Sequence, residues 1–340
     1  DIADNDTDLP PGVVLTGGSS DPTTVNVPGG GTARDDTGYV LLANIGDFVW
    51  LDLNGDGVQD ANEPGLADVV VKLTLPNSTV ITTTTGPNGY FNFSDLRPGN
   101  YTIAVDTATL PDGVTQTFDR DGTLNDSTTV TLVSNGSLTD VDFGYQGNAS
   151  IGDLIWRDRN GDGLQTADEP GLSNVVITLT MSNGWIVTTT TNNSGDYMFS
   201  GLIPGAYTVT VDSTTLPAGS VQTADRDSTL DHKTVVNLTA GDEIMDTDFG
   251  YQRQGDLTGF VFEDIDGSGD WTAGEPGLGN VTVIITDSRG VTQSVQTDSN
   301  GTYTVTVAID SNTSATDTVT VDVVESSLLA QGYVYTAGTD

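Results

Sequence analysis

The chain has 340 residues, with 48 Asp and Glu against 10 Lys and Arg, and a formal net charge of -38. A surface this acidic repels nucleic acid and anionic membranes, so neither is an expected partner, whereas cations are drawn to it. No cysteine is present to make a disulfide, and no apolar run of about 18 residues is present to insert into a bilayer.

Thr, Val and Gly abound, which favours strands and turns, and no segment carries a 3.6-residue apolar period. Asp1 reads as a processed start or as a cut in a longer chain. Residues 1–44 resemble the end of a module found complete further on. Leu9-Pro10-Pro11-Gly12-Val13 matches Leu110-Pro111-Asp112-Gly113-Val114, Asp21-Pro22-Thr23-Thr24-Val25 matches Asp126-Ser127-Thr128-Thr129-Val130, and Gly38-Tyr39 matches Gly144-Tyr145.

The first full unit, 45–149, opens with Ile45-Gly46-Asp47-Phe48-Val49-Trp50. Short alternating runs follow, such as Val69–Thr74 and Tyr101–Val105, punctuated by Pro87-Asn88-Gly89 and Pro98-Gly99. It closes with Val141-Asp142-Phe143-Gly144-Tyr145. The second unit, 150–254, repeats the opening at Ile151–Trp156 and the closing at Thr247–Tyr251. The third, 255–340, opens at Leu257–Phe262 and stops near Tyr335-Thr336-Ala337-Gly338, two strands short of its siblings. The interval is 106 residues each time. The expected fold is therefore all-β: tandem β-sandwich modules of about seven strands, with short, semi-rigid joints.

Each opening strand runs into a twelve-residue loop of oxygen-bearing side chains. The first offers Asp52, Asn54, Asp56, the backbone carbonyl of Val58, Asp60 and Glu63. The second offers Asp158, Asn160, Asp162, Leu164 by its carbonyl, Thr166 and Glu169; the third offers Asp264, Asp266, Ser268, Asp270 at the carbonyl position 7, Thr272 and Glu275. Oxygens at positions 1, 3, 5, 7, 9 and 12, with Gly57, Gly163 or Gly269 at position 6, are the spacing that wraps one Ca²⁺. A salt-adapted acidic surface would not place these acids in register with the repeat. Pro64-Gly65, Pro170-Gly171 and Pro276-Gly277 follow each Glu and discourage an exiting helix, so a structural clamp is expected rather than a sensor. The first loop carries four carboxylates to three in each of the others and is expected to bind most tightly. A second acidic cluster, Asp119, Asp121 and Asp126 with Asp225, Asp227 and Asp231, reads equally as another ion site or as an Asp-rich turn.

Asn-x-Ser/Thr triplets exceed chance expectation, which points to N-glycosylation and secretion; candidates are Asn77, Asn100, Asn135, Asn148, Asn237, Asn280 and Asn312. Catalysis has little support: His232 is the single histidine, and no nucleophile elbow is present. Trp185 and Trp271 are the aromatics able to stack on a sugar, while Trp50 and Trp156 suit the core. The out-of-phase ends allow two readings. One is a stretch of a longer array, as in the stalk of an adhesin that binds a glycan or protein. The other is a fibre subunit whose last module is completed by residues 9–44 of the next copy, giving a head-to-tail filament.

The motif set Ile45–Trp50, Asp52–Glu63, Pro64-Gly65-Leu66, Phe93–Tyr101 and Asp142–Tyr145 resembles the calcium-binding B-type repeats of serine–aspartate-repeat adhesins, within the Cna B-type group. Modules one and two match throughout; module three departs after Tyr303. The resemblance implies prealbumin-like (Ig-like) sandwiches acting as calcium-rigidified stalks at the cell surface. Some relatives carry Lys–Asn isopeptide bonds, but Lys72 is replaced by Thr178 and Ile284 in the later modules, so none is expected.

Overall fold

The computed structural model describes residues 13–15, 27, 29, 31–32, 38–309 and 318–333. Among these the regular structure is strand, apart from two single-turn 3-10 segments at Thr107–Thr109 and Ser213–Thr215 and one short α-helix at Glu325–Leu329.

Module one is two facing sheets. In one, Val80–Thr84, Val70–Thr74, Gly99–Val105 and Ser127–Leu132 lie side by side, all antiparallel. Alternation sets their faces: in Ser127–Leu132 every second residue is buried, so Thr128, Val130 and Leu132 point inward. The other sheet centres on Ala43–Leu51. Tyr90–Leu96 pairs with it antiparallel on one side, and Ser137–Leu138 and Phe143–Gln146 pair with it parallel on the other. Thr115–Asp119 then flanks Phe143–Gln146. Ile45, Val49 and Leu51 face Val71, Leu73 and Ile103 across the core. Trp50 and Trp156, expected in the cores, are almost fully buried but lie on the opposite face of their strands, where the Trp50 ring packs on Gly144 and Phe118 and the Trp156 ring on Gly250. Module two repeats the plan with Ala149–Arg157 at its centre and Val176–Met181, Ile186–Thr190, Gly205–Val211 and Lys233–Leu238 as the facing sheet.

Module three keeps the plan further than its sequence suggests. Thr320–Val323 pairs with Thr282–Thr286 at Val283↔Val323, where module two pairs Ile177 with Val211. The hydroxyl that follows is also kept: Thr282 N donates to Ser327 Oγ, as Val176 N does to Thr215 Oγ1 and Val70 N to Thr109 Oγ1. For the described residues after Tyr303, the loss of resemblance is therefore a six-residue shift along the chain (211 + 106 = 317, against 323), with the strand pairing kept. Its core is thin, with Val283, Ile285, Tyr303 and Val307 forming the buried cluster.

The joints differ. Two residues, Gly147 and Asn148, separate the strand that ends module one from the strand that opens module two. At the second joint there is no break: Phe249–Phe260 is one strand that serves both modules. It pairs with Ser220–Asp225 through Arg253 and with Thr302–Ala308 from Gln254 onward.

The N-terminal strands Val13–Leu15 and Tyr39–Leu41 pair antiparallel as Leu15↔Tyr39 and Val14↔Val40. Module one pairs Gln116↔Tyr145 and Thr115↔Gln146 in the same register. The other matched residues, 9–12 and 21–25, and the segment 335–338 lie outside the described residues.

Candidate metal centres in the three loops

The loops are closed by the chain that leaves them. After the Glu at position 12 the backbone turns back onto the opening strand: Leu51 N donates to Pro64 O, Arg157 N to Pro170 O, and Glu263 N to Pro276 O, at 2.8, 2.9 and 2.9 Å. The following glycine makes an isolated bridge to the same strand, Trp50↔Gly65, Trp156↔Gly171 and Phe262↔Gly277. No side chain fits there. A Cβ on Gly65, Gly171 or Gly277 would stand 1.9, 1.7 and 1.7 Å from the carbonyl oxygens of Asn88, Ser194 and Asn300. The turn thus brings position 1 beside position 12, which a helix leaving the loop would not do.

Both end residues are sequestered. Asp52 and Asp158 have no exposed surface, and Glu63, Glu169 and Glu275 are also buried. Their partners are backbone N–H groups. Asp52 accepts from Gly55 N (2.6 Å) and Gly57 N (2.9 Å), and Glu63 accepts from Leu53 N (2.9 Å) and Asp60 N (3.0 Å). Loop two repeats this with Gly161, Gly163, Arg159 and Thr166 as donors. Loop three repeats it with Ser268, Gly269, Ile265 and Thr272. Burial, followed by the charge of Asp52, raises the pKa of Glu63. Two buried carboxylates side by side are expensive without a cation between them. The donor set is entirely oxygen, which suits a hard cation of flexible coordination. These residues fit calcium.

The remaining predicted ligands form the exposed arm of each loop. Asn54 Nδ2 reaches Asp56 and Asp60 at 3.0 and 3.2 Å, and the Asn54 carbonyl oxygen accepts from Asp56 N. Val58 and Leu164 expose their side chains, leaving position 7 to act through its carbonyl. Asn160 Nδ2 bonds to Asp162 at 2.9 Å, while the Thr166 hydroxyl turns to Asp168. Loop three is the most closed: ligand oxygens of Asp264, Asp266 and Glu275 lie within 4.8 Å of one another. Thr272 Oγ1 bonds to Asp266, and the Ser268 hydroxyl bonds to the Asp270 carbonyl.

The second acidic cluster is not a repeated set. Asp119 is buried and held by Gln116 Nε2, and Asp225 by Gln222 Nε2; burial pushes Asp225 up to about 6. Asp121 and Asp227 cap local turns through Thr123 N and Thr229 N. Asp126, with φ of 62°, accepts from Tyr145 OH at 2.8 Å. Its structural counterpart is His232, φ 66°, whose Nδ1 meets Tyr251 OH at 3.0 Å. Asp231, grouped with Asp126 from the sequence, instead faces Lys233 at 3.9 Å.

Sequence reasoning missed a different pair of carboxylates. The Asp142 carboxylate accepts from Phe48 N and hydrogen-bonds the Asp47 side chain, whose pKa is pushed up to about 7 by burial first and then by Asp142 and Asp140. Asp140 is paired to Arg120 at 3.0 Å. Asp153, Asp248, Asp246 and Arg226 repeat the set, with Asp248 raised to about 6, chiefly by burial. Recurrence at 106 residues was the available signal.

Trp185, a sugar-stacking candidate from sequence, is half-buried, and its Nε1 donates to the Asn62 carbonyl of module one at 3.1 Å. Trp271 stays exposed, edge-on to Phe260. Lys72 meets the carboxylate of Asp106 at 2.8 Å, a bond that holds Asp106 below its usual range. Asn77, Asn100, Asn135, Asn148, Asn237 and Asn280 are exposed, whereas Asn312 lies outside the described residues. No helix among the described residues is long and apolar enough to cross a membrane.

A family model described as the SdrD B-like domain matches residues 43–145 and again 149–251. The chain is 36% identical over 286 residues to serine-aspartate repeat-containing protein F of Staphylococcus epidermidis, covering 79% of this chain and 16% of that protein. It is 35% identical over 278 residues to serine-aspartate repeat-containing protein E of Staphylococcus aureus (77% and 24%), and 34% over 296 residues to the bone sialoprotein-binding protein of that species (83% and 26%). The chain thus spans a quarter or less of the length of most of these relatives. Among solved structures, the minor pilin of Streptococcus agalactiae aligns at 14% identity and TM-score 0.25, over 62% of this chain and 95% of that one. So low a score supports no transfer of function. The repeated loops, their closing turns and the two consecutive matches make one conclusion: this chain is a tandem array belonging to the SdrD B-like domain family.

Proposed function

We propose that the chain is a calcium-stabilised stalk segment of an extracellular or cell-surface protein, its modules clamped by one Ca²⁺ in each of the three loops. The observation that carries this is the pairing of positions 1 and 12 by the same closing turn in each module, with both residues buried in modules one and two and Asp264 half-buried beside the buried Glu275 in module three. Without disulfides, the modules need another source of stability, and a site saturated at 100 times its Kd adds about 2.7 kcal/mol. Serine-aspartate repeat relatives of the array and the acidic, cation-attracting surface support the setting. N-glycosylation of the exposed acceptor asparagines belongs to the same reading, and intact mass of the natively produced protein reports it. The test is scanning calorimetry of the whole chain in millimolar calcium, in equal magnesium and in chelator. The expected result is a higher Tm in calcium than in either alternative. Identical traces would sink the proposal.

A second reading is favoured by one observation. Among the described residues, the module-three part of Phe249–Phe260 pairs on one side only, with Thr302–Ala308, where Ala43–Leu51 and Ala149–Arg157 are flanked on both. The Val13–Leu15 and Tyr39–Leu41 pair has the register of the strands that occupy that flank in module one. Such a pair from a second copy would complete the sheet and propagate a head-to-tail filament. Light scattering of the intact chain against one lacking residues 1–42 tests it: concentration-dependent growth confined to the intact chain is expected, and a monomer at all concentrations contradicts it.

A further inference from the structure

We infer that the calcium loops are also the joints: metal binding in one module's loop and docking of the next module are thermodynamically coupled through the residue at loop position 2. This rests on the calcium reading above. At the first joint that residue is Leu53. Its N–H donates to Glu63 Oε1 at 2.9 Å, so a metal ligand fixes one end of it. Its carbonyl accepts from Gln146 Nε2 of its own module at 3.3 Å and faces the next module, where Gly201 packs against it. A Cβ on Gly201 would stand 2.4 Å from the Leu53 oxygen, and Gly201 has a φ of +70°, so glycine alone fits. The loop's far end is held too, since Trp185 Nε1 of module two bonds to Asn62 O, the residue before Glu63. Between these contacts lies a gap of about 170 Å³ lined by Leu53, Asn54, Leu179, Val187, Phe199 and Leu202. The joint thus combines directed contacts to the loop with a buried apolar cluster that runs from module one into module two and includes Leu53, so it follows the loop's shape.

The second joint uses the same atom with different partners. Arg159, at position 2, donates its N–H to Glu169 Oε1 at 2.9 Å. Its carbonyl accepts from Gln252 Nε2 and from Arg289 Nη1 of module three, while Arg289 is steadied by Asp287. Two joints of different chemistry converging on one carbonyl point to a shared device. When metal leaves, the carboxylates of Asp52 and Glu63 repel, position 2 shifts, and the next module loses its seat. Linkage requires the converse, that docking tightens the metal.

Calcium titration calorimetry of the intact chain, comparing wild type with Trp185→Phe, Gly201→Ala and Arg289→Ala, tests this. Trp185→Phe removes the N–H and keeps an aromatic ring against the core, so it is the milder of the two module-two variants. The expected result is about a fivefold or greater weakening at loop one for Trp185→Phe and Gly201→Ala. Arg289→Ala is expected to weaken loop two alone. Three calcium ions bound with wild-type affinity in every folded variant would overturn the coupling and leave the calcium reading intact. No calcium binding by the wild type would overturn both.

Discussion

At the scale of residues, the chain concentrates its unusual chemistry in buried carboxyls of two kinds. Those at loop positions 1 and 12 are held by backbone N–H groups around a space suited to a cation. Glu63→Gln is expected to abolish the first site and lower the calcium-bound Tm of module one by roughly 10 °C, following about 2.7 kcal/mol lost from a small domain. Calorimetry reads this directly, and in chelator the gap to wild type should shrink to the cost of the one backbone N–H that the Gln amide cannot accept. Loop one, with four carboxylates, should also be the last to empty as calcium is withdrawn. Asp47 and Asp142 are the other kind, a pair whose proton is held more tightly in the folded state than in the unfolded chain. Because folding raises the pKa of Asp47 to about 7, the folded state binds more protons between about pH 4 and 7. Stability from this pair is therefore present at low pH and lost as pH rises through 7. In chelator, Tm should climb between pH 8 and pH 5.5, and Asp47→Asn should flatten that slope for module one.

At the scale of elements, much of the local structure was legible. The opening strands, loops and closing motif recur at 106 residues, and the residue types required by the loop lie at required positions. The closing turn was read only as a helix stop; its larger role, joining position 1 to position 12, depends on a strand bridge that no local pattern announces. Gly171→Ala should consequently damage calcium affinity at loop two and not merely the turn, since the Cβ would meet Ser194 O at 1.7 Å. Titration of that variant checks it. The strand Thr320–Val323 was not legible because a six-residue shift moves it away from the repeat's phase, although its pairing is preserved. Asp126 and Asp231 were grouped by their place near each acidic turn, although the 106-residue interval sets Asp126 opposite His232, and the positive φ the two share agrees with that. Trp185 looked like an exposed aromatic because its partner, the carbonyl of Asn62, is 123 residues away.

At the scale of the whole molecule, three sandwich modules are joined by a two-residue link and then by an unbroken strand. Each loop that forms a candidate ion site in modules one and two also seats the following module. Under the proposed coupling, stiffness of the array follows calcium occupancy, and the first joint, lacking a through-running strand, should soften most on chelation. Small-angle X-ray scattering of the intact chain measures that property in solution. In millimolar calcium the account requires the profile of a single extended rod; after chelation it requires a broader distribution with a shorter mean dimension. Superimposable profiles in calcium and in chelator would contradict it.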